Sequence, residues 1–146
     1  MKNKASIICH FQTITSGLFL STHDRNICLK KNYEIHKVCN LYFYDSFLLM
    51  IVKKLFGKSL NKRMKKFLSK DGIDYENIPI KKKLIHVMLE KIFPDFNFYN
   101  SVEKKISSLV TTMHNDFTQS NLIMSHWLFP SSFFAMKLSE KINKPF

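Results

Sequence analysis

Three apolar residues, Leu122, Ile123 and Met124, give way at once to Ser125, His126 and Trp127, then to Pro130 and two serines. A helical pattern follows and stops at Asn143, with Pro145 just beyond. So short an apolar run directly ahead of a helix reads as strand, loop and helix, the unit from which parallel α/β sheets are built. Loops at the carboxyl ends of such strands hold the ligands of these folds, and His126 and Trp127 fall in that loop. Lys144, Pro145 and Phe146 stand where a further strand is expected to start, so the chain reads as the opening part of a longer unit.

The amino-terminal half repeats the unit. Ala5 to Cys9 is apolar on both faces, as a buried parallel strand is. Its exit, His10 to Ser16, is polar, and Gly17 follows as a turn glycine or as a point where the backbone approaches a ligand closely. Leu18 to Lys31 is expected to be a helix whose terminal Lys30 and Lys31 suit the helix dipole. Asn32 then takes the left-handed position usually held by glycine. Tyr33 to Phe43 completes a strand, helix, strand order. Further on, Asp71 and Gly72 mark a turn, Ile73 to Ile80 a strand closed by Pro79, and Leu84 to Phe93 a helix ended by Pro94. Phe96 to Tyr99 carries no clear pattern. Asn100 and Glu103 are placed to cap a helix along which Val102, Ile106, Leu109, Val110, Met113 and Phe117 form one apolar stripe. His114 lies beside that stripe with no ligand in zinc register, so no metal is expected.

Residues 47–69, FLLMIVKKLFGKSLNKRMKKFLS, break this order. Apolar residues recur among Lys53, Lys54, Lys58, Lys62, Arg63, Lys65 and Lys66, and no acidic residue interrupts them. Two readings stand. The segment is a helix pair, broken at Gly57, packed on the sheet with a solvated lysine face; or it is a basic amphipathic element with Lys62, Arg63, Lys65 and Lys66 at anionic headgroups.

The 146 residues amount to one domain, and a hydrophobic fraction of 45% with 3 Gly and 4 Pro is that of a globular chain. The formal charge of +12 favours an anionic partner or surface, although specific nucleic-acid binding is not expected. Cys9, Cys28 and Cys39 are odd in number and lack a C-x-x-C spacing, which suits free thiols in a reducing compartment. The longest apolar run, Phe47 to Val52, is far shorter than the roughly 20 residues of a membrane span. Neither a signal peptide nor a spanning helix is expected. The setting is then cytoplasmic, with peripheral attachment to the cytosolic face of a membrane as the extension of the basic reading.

The run Ser120 to Phe146 resembles the N-terminal domain of family 4 glycosyltransferases, which have the two-domain GT-B fold. Asn121, the strand Leu122 to Met124, Ser125, His126, Trp127, Pro130, the helix through Leu138, and Asn143, Lys144, Pro145 follow that family's pattern. Ser16, Gly17, Leu18 and Phe19 resemble the glycine-led start of its first helix, and Lys31 to Val38 its second strand. The resemblance covers both ends of the chain and little of the middle. It departs where a paired glycine is reduced to Ser16 and Gly17, and where Asn121 replaces an aspartate.

The resemblance implies a Rossmann-like parallel sheet with helices on both faces, residues 1–146 being an incomplete acceptor-side domain. It implies transfer of a sugar from a nucleotide-sugar donor to a glycan or lipid-linked acceptor, with retention at the anomeric carbon, as in polysaccharide biosynthesis. Gly17 would face the donor diphosphate, while His126 and Trp127 would line the acceptor side. No catalytic residue and no cofactor is assigned within the chain. The donor pocket belongs to a C-terminal domain, so the chain alone is expected to be inactive. The competing reading is a catalytically inactive basic α/β module on an anionic membrane surface or a partner protein.

Overall fold

The computed structural model describes residues 2–11, 16–64, 67–93 and 98–146. In chain order, the strands are β1 (Lys4–Cys9), β2 (Glu34–Asp45), β3 (Phe67–Lys70), β4 (Ile73–Lys82) and β5 (Leu122–Ser125). The helices are α1 (Gly17–Asn32), α2 (Phe47–Leu55), α3 (Leu84–Ile92), α4 (Phe98–Met113) and α5 (Phe133–Ile142). The five strands form one sheet in the order β3-β4-β2-β1-β5. All neighbours run parallel except β3, which pairs antiparallel with β4. The chain therefore steps outward from β1 through β2 to β4, then returns to the far side of β1 as β5. Strand order reverses between β1 and β5, the point at which open α/β sheets leave a crevice.

The central strands are buried on both faces, and alternate side chains serve two cores. Ile8, Cys39, Leu41, Ile78 and Ile80 point to one face and meet Val102, Ile106 and Val110 of α4 with Phe134, Ala135 and Leu138 of α5. Ile7, Cys9, Val38, Ile73 and Tyr75 point to the other face and meet Phe19 of α1. The apolar stripe expected on α4 is thus its core face, each buried side chain contributing about 1.5–3 kcal/mol. Cys9 and Cys39 are buried free thiols and Cys28 an exposed one. Burial raises the pKa of the Cys9 and Cys39 thiols, which keeps them protonated and inert.

Several local expectations are corrected. Among the described residues, 47–69 do not form the helix pair expected of the packed reading. α2 ends at Leu55, Gly57 turns the chain at a φ of 62°, and the segment finishes in the edge strand β3. The fully buried carboxylate of Asp45 directs this path. It accepts from Lys53 Nζ at 3.0 and 2.9 Å and from the backbone N–H of Asn61 at 2.8 Å, drawing the loop back to the sheet. β3 can then pair with β4 through a turn in which Asp71 and Gly72 both have positive φ, the arrangement a tight hairpin requires.

Asn32 is not left-handed; α1 ends through an extended Tyr33, whose N–H reaches the Leu29 carbonyl at 2.9 Å. Pro79 lies within β4 rather than closing it. β3 covers only Ile73 to Glu76 on that side, so a residue without an N–H is tolerated beyond. α4 starts at Phe98, which puts Asn100 inside the helix instead of at its cap. Asn143 does take the left-handed cap of α5, at φ 52°. The expectations for Lys65, Lys66, Pro94, Phe96 and most of the exit from β1 fall outside the described residues.

One buried side chain joins the three strands at the carboxyl end. Asn40 Oδ1 accepts from the Phe11 N–H at 2.8 Å, while its Nδ2 donates to the Phe11 carbonyl at 3.2 Å and to Asn77 Oδ1 at 2.9 Å. Asn40 thereby supplies the pairing that the backbone beyond β1 would otherwise lack. Asn40→Ala takes the acceptor from the buried Phe11 N–H and removes one partner of the Phe11 carbonyl and of Asn77, and is expected to lower stability by about 2–3 kcal/mol in urea unfolding. A loss below about 0.5 kcal/mol would remove this role.

Candidate functional site

At the reversal between β1 and β5, the loop after β5 meets α1 through Thr22, Arg25 and Asn26, while Ser16 and Gly17 stand at the start of that helix. Ser16 caps α1, its Oγ accepting from the Phe19 N–H at 3.1 Å. Gly17 is the first helical residue, not a turn glycine: its φ is not positive, and a Cβ there would meet nothing within 4 Å. Opposite, the His126 N–H donates to the Ile8 carbonyl at 2.9 Å, continuing the β1–β5 ladder by one residue. Trp127 then turns sharply, with φ 75° and ψ 154°, a region that side-chain-bearing residues rarely enter. Ser131 and Ser132 hold it there, both hydroxyls donating to the Trp127 carbonyl. The indole Nε1–H donates to Thr22 Oγ1 at 3.0 Å and Arg25 lies over the ring at 5.4 Å, leaving Trp127 36% exposed.

His126 is buried, and its ring begins a polar chain that runs beneath α1. Nε2 donates to Asn26 Oδ1 at 2.8 Å, and Asn26 Nδ2 donates to Tyr75 Oη at 3.1 Å. The Tyr75 hydroxyl lies 2.8 Å from His23 Nδ1, and His23 Nε2 lies 2.8 Å from Asp71 Oδ2 at the hairpin turn. With each imidazole carrying its proton on Nε2, every donor has an acceptor and the bonds point one way, towards the carboxylate. Burial, opposed by the Asn26 amide, pushes the Tyr75 hydroxyl up to about 12. Burial and the nearby Arg25 lower the pKa of His126. His10, at the end of β1, is also lowered by burial, against the opposing bond to the Leu41 carbonyl.

A second region at the same end of the sheet gathers part of the basic segment singled out in the sequence with lysines that were not linked to it. The ends of β2 and β4 are tied by the Ser46 N–H donating to the Lys82 carbonyl at 2.9 Å. Two concavities open beside that tie. One of about 490 Å³ includes Phe47, Met50, Lys62 and Arg63; another of about 560 Å³ includes Lys83, His86, Lys104 and Lys105. Tyr44 and Lys81 border both. Of the four membrane-contact candidates, the structure places Lys62 and Arg63 here, with Arg63 5.8 Å from the Tyr44 ring. Lys104 and Lys105, some forty residues away in sequence, gave no periodic signal linking them to this surface.

Among the described residues no three His, Cys, Asp or Glu side chains could hold a metal ion. None of their helices is long and apolar enough to cross a membrane. Compared with known proteins, the chain matches no family model, no curated sequence and no solved structure.

Tyr75→Phe removes the donor to His23 and the acceptor for Asn26 and is expected to lower stability by about 1–3 kcal/mol. An unchanged urea midpoint would mean that the chain carries no energy. His126 supplies a pH dependence of known sign. Its folded pKa lies below the ordinary 6.5, so its stabilising contribution is complete above that value and is lost as pH falls from there through the lowered one. His126→Gln is expected to flatten the fall in urea midpoint on acidification, and an unaltered slope would contradict the assignment.

Proposed function

We propose that this chain is the acceptor-side domain of a retaining glycosyltransferase of the two-domain GT-B type, acting on a nucleotide-sugar donor and a glycan or lipid-linked acceptor at the cytosolic face of a membrane. The observation that carries the reading is a convergence. The loop after β5, within Ser120 to Pro145, bonds to α1, the helix that Ser16 to Phe19 opens, through Trp127–Thr22 and His126–Asn26, about a hundred residues apart in sequence and beside the strand-order reversal between β1 and β5. Ligands of open α/β sheets occupy that position.

In this reading Trp127 offers a half-open indole against which a sugar ring can stack, held in place by Thr22 and Arg25. His126 is a positioning residue. Its Nε2 is committed to Asn26, so it fixes the loop that carries Trp127. Gly17 keeps the start of α1 free of a side chain on the side assigned to the donor diphosphate. A leaving diphosphate needs hydrogen-bond donors or cations for its developing charge, and the reading assigns most of these to a second, donor-binding domain outside these residues.

Trp127 is the one tryptophan of the sequence, which gives the test a built-in reporter. A panel of saccharides and saccharide lipids is expected to include a ligand that changes its fluorescence saturably, and the change should disappear in Trp127→Phe. UDP-, GDP- and ADP-sugars should give neither a response nor transfer with the chain alone. Donor binding by the chain would overturn the acceptor-side assignment. Silence across the saccharide panel would favour the competing reading of a non-catalytic basic module.

A further inference from the structure

α2 is amphipathic, yet it turns its apolar side outward. Of its residues only Leu49 is buried, while Phe47, Leu48, Ile51 and Leu55 are exposed, followed by exposed Phe56. Their spacing of one, three and four residues within the helix puts them on one face. Phe47, Leu55 and Phe56 are 71%, 77% and 73% exposed, values unusual for residues of this type so close together. The orientation follows from the Asp45–Lys53 ion pair and the Ser46 cap, whose Oγ accepts from the Leu49 N–H at 3.4 Å. These polar ties hold the opposite side of the helix against the sheet.

α3 has the same character. Ile85, Met88 and Ile92 recur at spacings of three and four and are exposed, as is Phe93 just beyond. Both helices leave adjacent strand ends, joined by the Ser46–Lys82 backbone bond. Between and beside them lie the two basic concavities, lined by Lys62, Arg63, Lys81, Lys83, Lys104 and Lys105. No acidic residue occurs from Ser46 to Lys70.

We propose that this end of the molecule binds an anionic lipid bilayer, α2 and α3 entering the acyl boundary while the basic concavities receive headgroup phosphates. Charge complementarity selects this occupant. A water-soluble partner chosen for the apolar faces alone would gain nothing from six cations around them, whereas a bilayer of acidic lipid supplies apolar depth and negative charge in layers. The apolar residues, not the lysines of 62–66 alone, are then the membrane-inserting element. The inference deepens the membrane-face part of the reading above, and the two fail separately, because lipid binding is tested at α2 and α3 while saccharide binding is read at Trp127.

The test uses the whole purified chain with vesicles of phosphatidylcholine, alone or mixed with phosphatidylglycerol. Co-sedimentation is expected only with the anionic vesicles and should weaken as salt is raised. Leu55→Ser combined with Phe56→Ser changes two side chains outside the core, so circular dichroism should be unaltered while partitioning falls by roughly tenfold or more. Lys81→Glu with Lys83→Glu should abolish the preference for anionic lipid. Leu20→Ser, an exposed apolar residue of α1, should change neither. In Phe56→Trp, fluorescence should be quenched by brominated acyl chains beyond any quenching of Trp127 in the unmodified chain. Equal binding to both vesicle types, or binding untouched by the Leu55 and Phe56 changes, would overturn the proposal. So would a lipid-free dimer that these changes dissolve, since the face would then be an interface between two copies.

Discussion

The helix α1 must bury a face that is largely polar, and much of the architecture follows from how that demand is met. Its buried residues are Phe19, Thr22, His23 and Asn26. Only the first is an ordinary core side chain. An apolar sheet beneath the other three would strand their hydrogen-bonding groups at a cost of about 1–3 kcal/mol each. Tyr75 meets two of them from β4, His126 meets one from the loop after β5, and Asp71 closes the far end at the hairpin. The helix consequently joins elements at both margins of the sheet, which neighbouring strands alone would not connect. Replacing this seam by leucines could preserve stability, but the directional bonds that fix the β5 loop would be lost.

This seam also explains what was legible beforehand. β1, β5, the α4 stripe, the Asp71–Gly72 turn and the Asn143 cap depend on local patterning, and a short apolar run or a three-and-four spacing reveals them. A Rossmann-like arrangement followed from their order, and the sheet is mostly parallel with helices against both of its faces. The polar seam joins residues separated by about fifty to a hundred positions and leaves no periodic trace. His126 and Trp127 could be placed in a loop from sequence, but not tied to Asn26 and Thr22.

The middle of the chain misled for a different reason. Leu60, Met64, Phe67 and Leu68 have spacings compatible with a helix, and lysines between them complete an amphipathic pattern. Two long-range interactions override it, the Asp45 carboxylate capturing the Asn61 N–H and β4 offering an open edge to β3. Tyr42 contributes as well, its hydroxyl accepting from the Met64 N–H and donating to the Met64 carbonyl. In the opposite sense, the apolar run of α2 looks like core and is mostly surface. Hydrophobicity measures the cost of contact with water; it does not say which neighbour removes the water.

The outward face of α2 has a colloidal consequence. A charge of +12 holds identical molecules apart over about 30 Å in roughly 0.01 M salt, but only over about 3 Å near molar salt. Electrolyte therefore screens the repulsion while strengthening the tendency of apolar surfaces to leave water, especially when the anion is sulfate. This molecule should disperse best in dilute buffers and cluster as salt is added, the reverse of a basic protein whose surface is polar throughout.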